Sequence, residues 1–202
     1  MNEGQIQLND KLGEMLYNLC FANQNIKTVV EIGTWYGGGS TKCIIFGLSN
    51  SKKLDASFIS LESNKKMYNV AVEAWADKLP KWAKLINGCV INENEMDSQN
   101  LGYQHPNEAE WFEEDKNALL SCPNVLLELP EKIDLLFLDG GEFSTNAEFW
   151  KLKDRSNIII LDDTTARKCC SIRKYVIGNP LEYKILFDDP SFRNGIMGFE
   201  KI

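Results

Sequence analysis

The stretch Val29–Thr41, "VVEIGTWYGGGST", decides how this chain is read. A short β-branched run ends in Gly33, as a buried strand does, and a helix opens after the glycines at Ser40 or Thr41. Glycines at such a junction either let a ligand lie against the backbone or mark a tight turn. A dinucleotide site needs G-x-G-x-x-G, which brings helix N–H groups to a pyrophosphate. Here Gly33 is followed by a gap and then by Gly37, Gly38 and Gly39, which is the wrong spacing.

Two acids discriminate further. Glu31 stands inside the end of the first strand, and Glu62 ends a second one, "ASFISLE". A carboxylate in that second position accepts both hydroxyls of a ribose. An acid ahead of the glycines repels phosphate and favours an amino group or a sulfonium. Ribose and positive charge without phosphate describe S-adenosylmethionine (SAM).

Outward from this stretch the chain alternates. "NDKLGEMLYNLCF" predicts a helix with Asp10 as its cap, and "NKKMYNVAVEAWADKL" predicts another with Met67, Val70, Ala71, Ala74 and Trp75 on one stripe. "AKLINGCVI", "KIDLLFLDGG" and "SNIIILDD" read as strands, with helices "NAEFWKLK" and "CCSIRKYVIG" after the last two. "EYKILF" and "IMGFEKI" have no helix between them and should pair antiparallel. The pattern predicts an α/β fold: a Rossmann-like, doubly wound, mostly parallel sheet with an antiparallel C-terminal strand. Such sheets bind ligands at the carboxyl ends of their strands. That edge would gather Glu31 to Ser40, Glu62, Cys89, Asp139, Asp162 and Asp163. A polar insertion at about 92–130, with a helix in "NEAEWFEEDKNALL", interrupts one domain spanning 1–202 and is placed where a substrate lid belongs.

In combination these pieces resemble the class I SAM-dependent methyltransferases, closest to the small-molecule O-methyltransferase branch. "EIGTWYGGGST" is similar to the first motif, "SLESN" to the ribose motif, and "IDLLFLDGG" to the fourth strand, whose terminal Asp lies near the transferred methyl. The resemblance implies that Glu31 and Gly33 face the methionine end of the cofactor. Thr34, Trp35, Gly37, Gly38, Gly39 and Ser40 would form the cradle, although which of the three consecutive glycines approaches the cofactor stays open. Glu62 would hold the ribose with Ser63 beside it. Cys89 and Val90 fall where the family often has an Asp next to adenine. Trp35 and Tyr36 either stack on a ligand or bury against the first helix.

For catalysis, Asp139, Asp162 and Asp163 resemble the Asp, Asp and Asn that bind Mg²⁺ in catechol-type enzymes. They either hold Mg²⁺ or cap helices and line a polar pocket. The second reading is preferred, because the Lys that follows the first metal Asp in that branch is missing: Gly140, Gly141 and Glu142 follow Asp139. Glu142 is then a candidate base beside Asp139. His105, the one histidine, is read as an exposed loop residue, with a base carried on a lid as the alternative.

The 202 residues carry a formal charge of −7, which disfavours nucleic acid and anionic membrane as partners, and no D/N-P-P-Y motif follows the fourth strand. "ARKCCSIRK" is read as the solvated face of a helix, and Glu108, Glu110, Glu113, Glu114 and Asp115 as another. The N-terminus has no signal-peptide pattern and the six cysteines form no C-x-x-C pair, so free thiols in the cytoplasm are expected. The expected activity is methyl transfer to a small molecule, at a hydroxyl oxygen of a sugar or metabolite. The alternatives are a non-catalytic cofactor-binding or interaction domain of the same fold and, opposed by the glycine spacing, an NAD-dependent dehydrogenase.

Overall fold

The computed structural model describes residues 5–53, 55–99 and 105–202. The N-terminal tetrapeptide and residues 100–104 of the predicted insertion lie outside it. Seven strands form one sheet: β1 (Thr28–Ile32), β2 (Ser57–Glu62), β3 (Ala83–Asn87), β4 (Ile133–Leu138), β5 (Ser156–Asp162), β6 (Tyr183–Asp189) and β7 (Ile196–Lys201). Their order is β3-β2-β1-β4-β5-β7-β6. β1 pairs in parallel with both β2 and β4, β3 and β5 continue the parallel register, and β7 runs antiparallel to β5 and β6. The strand order reverses at β1, between β2 and β4, which is where a doubly wound sheet opens a ligand crevice.

Period-2 alternation fills two cores. Val29, Phe58, Leu135, Phe137 and Ile160 pack against Leu12 and Leu16 of α1 (Lys11–Ala22) and Ile44 and Leu48 of α2 (Ser40–Asn50). Their neighbours Val30, Leu61, Leu136, Leu138 and Ile159 pack on the other face against Phe149 of α5 (Thr145–Leu152) and Ile172 and Val176 of α6 (Arg167–Gly178). Asp10 caps α1 as expected, its Oδ1 accepting from the Gly13 N–H at 2.8 Å. Asn64 does the same for α3 (Lys65–Trp75), accepting from the Lys66 and Met67 N–H groups.

The insertion carries α4 (Glu108–Ser121). Phe112 meets the Phe143 ring edge-on at 5.3 Å, and Leu119 enters the second core. The chain leaving α4 returns to the end of β3: Val125 N–H donates to the Cys89 carbonyl at 2.8 Å and Cys89 N–H to the Pro123 carbonyl at 3.0 Å. Two surface expectations need correction. Glu108 is buried rather than solvated and pairs with Arg167, which also donates to the Gln99 carbonyl at 2.7 Å. "ARKCCSIRK" is not a solvated face, since Ile172 and Val176 set a buried stripe that Lys168 and Cys169 extend by one turn. Among the described residues no helix is long and apolar enough to cross a membrane.

Candidate functional site

A cavity of about 850 Å³ opens at the carboxyl ends of β1, β2, β4 and β5, with α4 as a wall. Its first side is the β1–α2 junction. Gly33, Thr34, Trp35, Tyr36, Gly39 and Ser40 line it. Gly33 has φ +100°, and a Cβ there would stand 2.1 Å from the Asp139 carbonyl oxygen, so glycine is required for β1 and β4 to finish side by side. Trp35 also takes a positive φ of 50° and leaves its indole half exposed at the mouth, edge-on to Tyr36. That excludes burial against α1 as the account of Trp35.

Glu62 and Ser63 line the next side. Glu62 Oε2 accepts from the Trp35 N–H at 2.7 Å and Oε1 from the Asn64 N–H at 2.9 Å. Each carboxylate oxygen keeps a lone pair for a ligand hydroxyl. Burial raises the pKa of Glu62, opposed by these two N–H groups. Cys89 lines the cavity where the insertion returns to the sheet.

Three residues expected at the cofactor stand elsewhere. Alternation puts Glu31 on the face of Val29, beneath α2, where its Oε2 accepts from Thr41 and Ser60 hydroxyls. It is fully buried and off the cavity wall, and burial lifts its pKa to about 7. Gly37 and Gly38 are also buried behind the wall. Gly37 serves packing: its carbonyl accepts from the Trp75 indole at 2.7 Å, and a Cβ would lie 2.8 Å from that nitrogen. Of the three glycines in sequence, Gly39 is the one at the cavity.

The third side holds Asp139, Asp162 and Asp163, whose carboxylate oxygens lie within 4.8 Å of one another. Lys168 of α6 reaches into them, its Nζ 2.6 Å from Asp139 Oδ1 and 2.7 Å from Asp163 Oδ2. Arg193 Nη2 lies 3.2 Å from Asp162 Oδ2. Burial opposes the Lys168 charge, yet the two carboxylates outweigh it and hold the ammonium protonated. Burial, with Asp139 and Asp163 nearby, raises Asp162 to about 7. The acid triad fits Mg²⁺ poorly, because an ammonium already sits between two of the three carboxylates that a divalent ion would share.

Glu142 is not on the cavity wall. Burial raises its pKa, opposed first by the nearby Lys168 charge. The structure therefore does not bring the carboxylate expected as a base beside Asp139 to the cavity. His105 is exposed, stacks on Trp111 at 4.5 Å and stands off the wall, so the lid-borne base is not observed. The cavity instead contains Asp115 and Glu148, which sequence reasoning missed. Burial lifts Asp115 to about 6 and Glu148 to about 7. Gly140 and Gly141 make room for them, since Cβ atoms would meet Glu148 Oε2 at 2.5 Å and Asp115 Oδ2 at 2.6 Å. The signal for Asp115 was its place between Phe112 and Leu119 on the inward stripe of α4.

Neither a protein-family model nor a curated protein matches the sequence. Solved structures do match. A methyltransferase from Podospora anserina, SAH-bound, gives a TM-score of 0.63 at 18% identity over 95% of this chain and 78% of that one. An O-methyltransferase from Bacillus cereus in complex with SAH gives 0.60 at 16% identity over 98% and 84%. The O-methyltransferase TomG from Streptomyces achromogenes, in complex with SAM, gives 0.60 at 11% identity over 97% and 82%. The chain has the class I methyltransferase fold. In that fold the reversed strand β7 is the expected departure from a dinucleotide-binding sheet, and here it lies between β5 and β6. The residues at the cavity also fit a ligand with vicinal hydroxyls and a positive charge: Glu62 offers lone pairs at the wall, and carboxylates outnumber cations along it.

Proposed function

We propose that this protein is a SAM-dependent methyltransferase acting on an oxygen of a small molecule, a sugar or other hydroxylated metabolite. The observation that carries the reading is Glu62 at the cavity wall, held by the Trp35 and Asn64 N–H groups and facing an acid-rich cavity. Glu62 is the ribose acceptor, Ser63 flanks it, and Cys89 lies on the adenine side. Gly39 and Ser40 present the N-terminus of α2 to the methionine carboxylate, since Gly39 caps that helix with no side chain and leaves its N–H groups to a ligand. When bound, SAM supplies an electrophilic sulfonium methyl. The carboxylates around it suit the sulfonium charge and oppose a pyrophosphate, which disfavours the dehydrogenase alternative.

The chain's own contribution is alignment. The Asp139 side holds the acceptor oxygen, and α4 closes the opposite wall as a lid over one domain. The hydroxyl proton has carboxylates to receive it: Asp115 at about 6 and Glu148 at about 7 suit proton uptake near neutrality. The formal charge of −7 keeps nucleic acid and anionic membrane out of the proposed partners, and the free thiols suit a reducing cytoplasm. Transfer of labelled methyl from SAM across a panel of hydroxylated small molecules tests the activity. Label on an acceptor oxygen is expected. SAM binding with no transfer to any acceptor would favour the non-catalytic binding domain instead.

A further inference from the structure

We propose that the Lys168 ammonium is the resident cation of the Asp139–Asp162–Asp163 cluster, standing where a divalent ion would otherwise bind, and that its remaining N–H holds the oxygen of the methyl acceptor. The acceptor half rests on the methyltransferase reading; the cation half does not.

Lys168 occupies the first turn of α6, where a helix dipole disfavours positive charge, and its side chain is only 8% exposed. A buried ammonium in such a place is costly unless it is paired. The pairing is supplied by Asp139 and Asp163 at 2.6 and 2.7 Å, while Arg193 takes Asp162 at 3.2 Å. Three carboxylates thus face two cations. A Mg²⁺ ion needs oxygens at about 2.0–2.1 Å, and it would have to expel the ammonium to reach them. An ammonium has three N–H donors, and Asp139 and Asp163 take two. Lys168 also lines the cavity, so the third donor is available to a ligand.

An acceptor oxygen at that donor is fixed beside Asp139 and is stabilised as negative charge develops on it. In the transfer the oxygen's lone pair forms the bond to the methyl carbon, and the carbon–sulfur bond breaks with its pair going to sulfur. The hydroxyl proton passes to a cavity carboxylate. Lys168 keeps all its protons throughout. Lys168 reaches Asp139 from 29 residues further along the chain.

The test titrates Mn²⁺ against the intact protein by electron paramagnetic resonance and measures melting temperature with Mg²⁺ or Ca²⁺ at fixed ionic strength. Wild type should take up no Mn²⁺ at millimolar concentration, show no melting shift, and keep methyl transfer in chelator. Lys168→Met should bind Mn²⁺ and gain several degrees with Mg²⁺. It should lose about 100-fold or more in methyl transfer while holding SAH as wild type does; Lys168→Arg should recover part of the rate. Stoichiometric Mn²⁺ on wild type with transfer abolished by chelator overturns the proposal, as does Lys168→Met at the wild-type rate. If Lys168→Met does not fold, Mn²⁺ on wild type decides the cation half and the rate of Lys168→Arg in chelator decides the acceptor half. Failure of wild type to bind SAH would overturn the acceptor half together with the methyltransferase reading, and the Mn²⁺ result would still judge the cation half.

Discussion

The backbone N–H of Trp35 donates to Glu62 Oε2 at 2.7 Å, which makes the loop after β1 and the acid ending β2 one hydrogen-bonded unit. In the proposed function, removing that carboxylate costs the ribose its acceptor, and it costs the loop its tether. Glu62→Ala should weaken SAH binding by about 1.5–3 kcal/mol, the range for hydrogen bonds to a charged group. Isothermal titration of the variant against wild type measures it, and equal affinities would remove Glu62 from the ribose role.

Gly37 should matter for stability rather than for the ligand. Its φ of +70° and the Trp75 indole 2.8 Å from a built Cβ both penalise any side chain. Gly37→Ala should destabilise the fold by about 1–3 kcal/mol, read by urea denaturation, while SAH affinity of the folded fraction stays unchanged.

Glu148 is 4% exposed, and burial lifts its pKa from 4.5 to about 7. Below pH 4.5 folded and unfolded chains are both protonated there. Between 4.5 and 7 the folded chain keeps a proton that the unfolded chain releases, so stability falls as pH rises, by about 3 kcal/mol in all. Above 7 the loss is complete. Glu148→Gln should remove this share of the slope. Denaturation midpoints from pH 4.5 to 8 that slope identically in both proteins would contradict the assignment.

Gly141 lets Asp115 of α4 lie against the turn after β4, where Asp115 Oδ2 accepts from the Phe143 N–H at 3.2 Å. Gly141→Ala should push Asp115 away and loosen α4. Faster amide exchange confined to α4 and its neighbours is expected, and an unchanged exchange pattern would show that the helix is held without this contact.

The mostly parallel sheet, its antiparallel end and the cavity edge were legible because their signals are local: β-branched runs, glycines where strands finish, and Glu62 at the end of β2. Glu31 was misplaced because strand alternation, which sends it beneath α2 with Val29, was outweighed by its proximity to the glycines. Gly37 reads as part of a cradle because the sequence does not show that Trp75, on another helix, claims its space. Lys168 and Asp115 were assigned to solvent on charge alone, although Ile172 with Val176, and Phe112 with Leu119, marked their helix faces as inward. The Lys168–Asp139 pair joins residues on two separate elements, and no local spacing encodes it.

SAM and its demethylated product are expected to bind at the strand ends beside Glu62. Calorimetric titration of the wild-type protein with SAH, and separately with NADH, tests it most directly. Saturable one-to-one binding of SAH and no binding of NADH are expected. No heat with SAH, or saturable binding of NADH in its place, would contradict it.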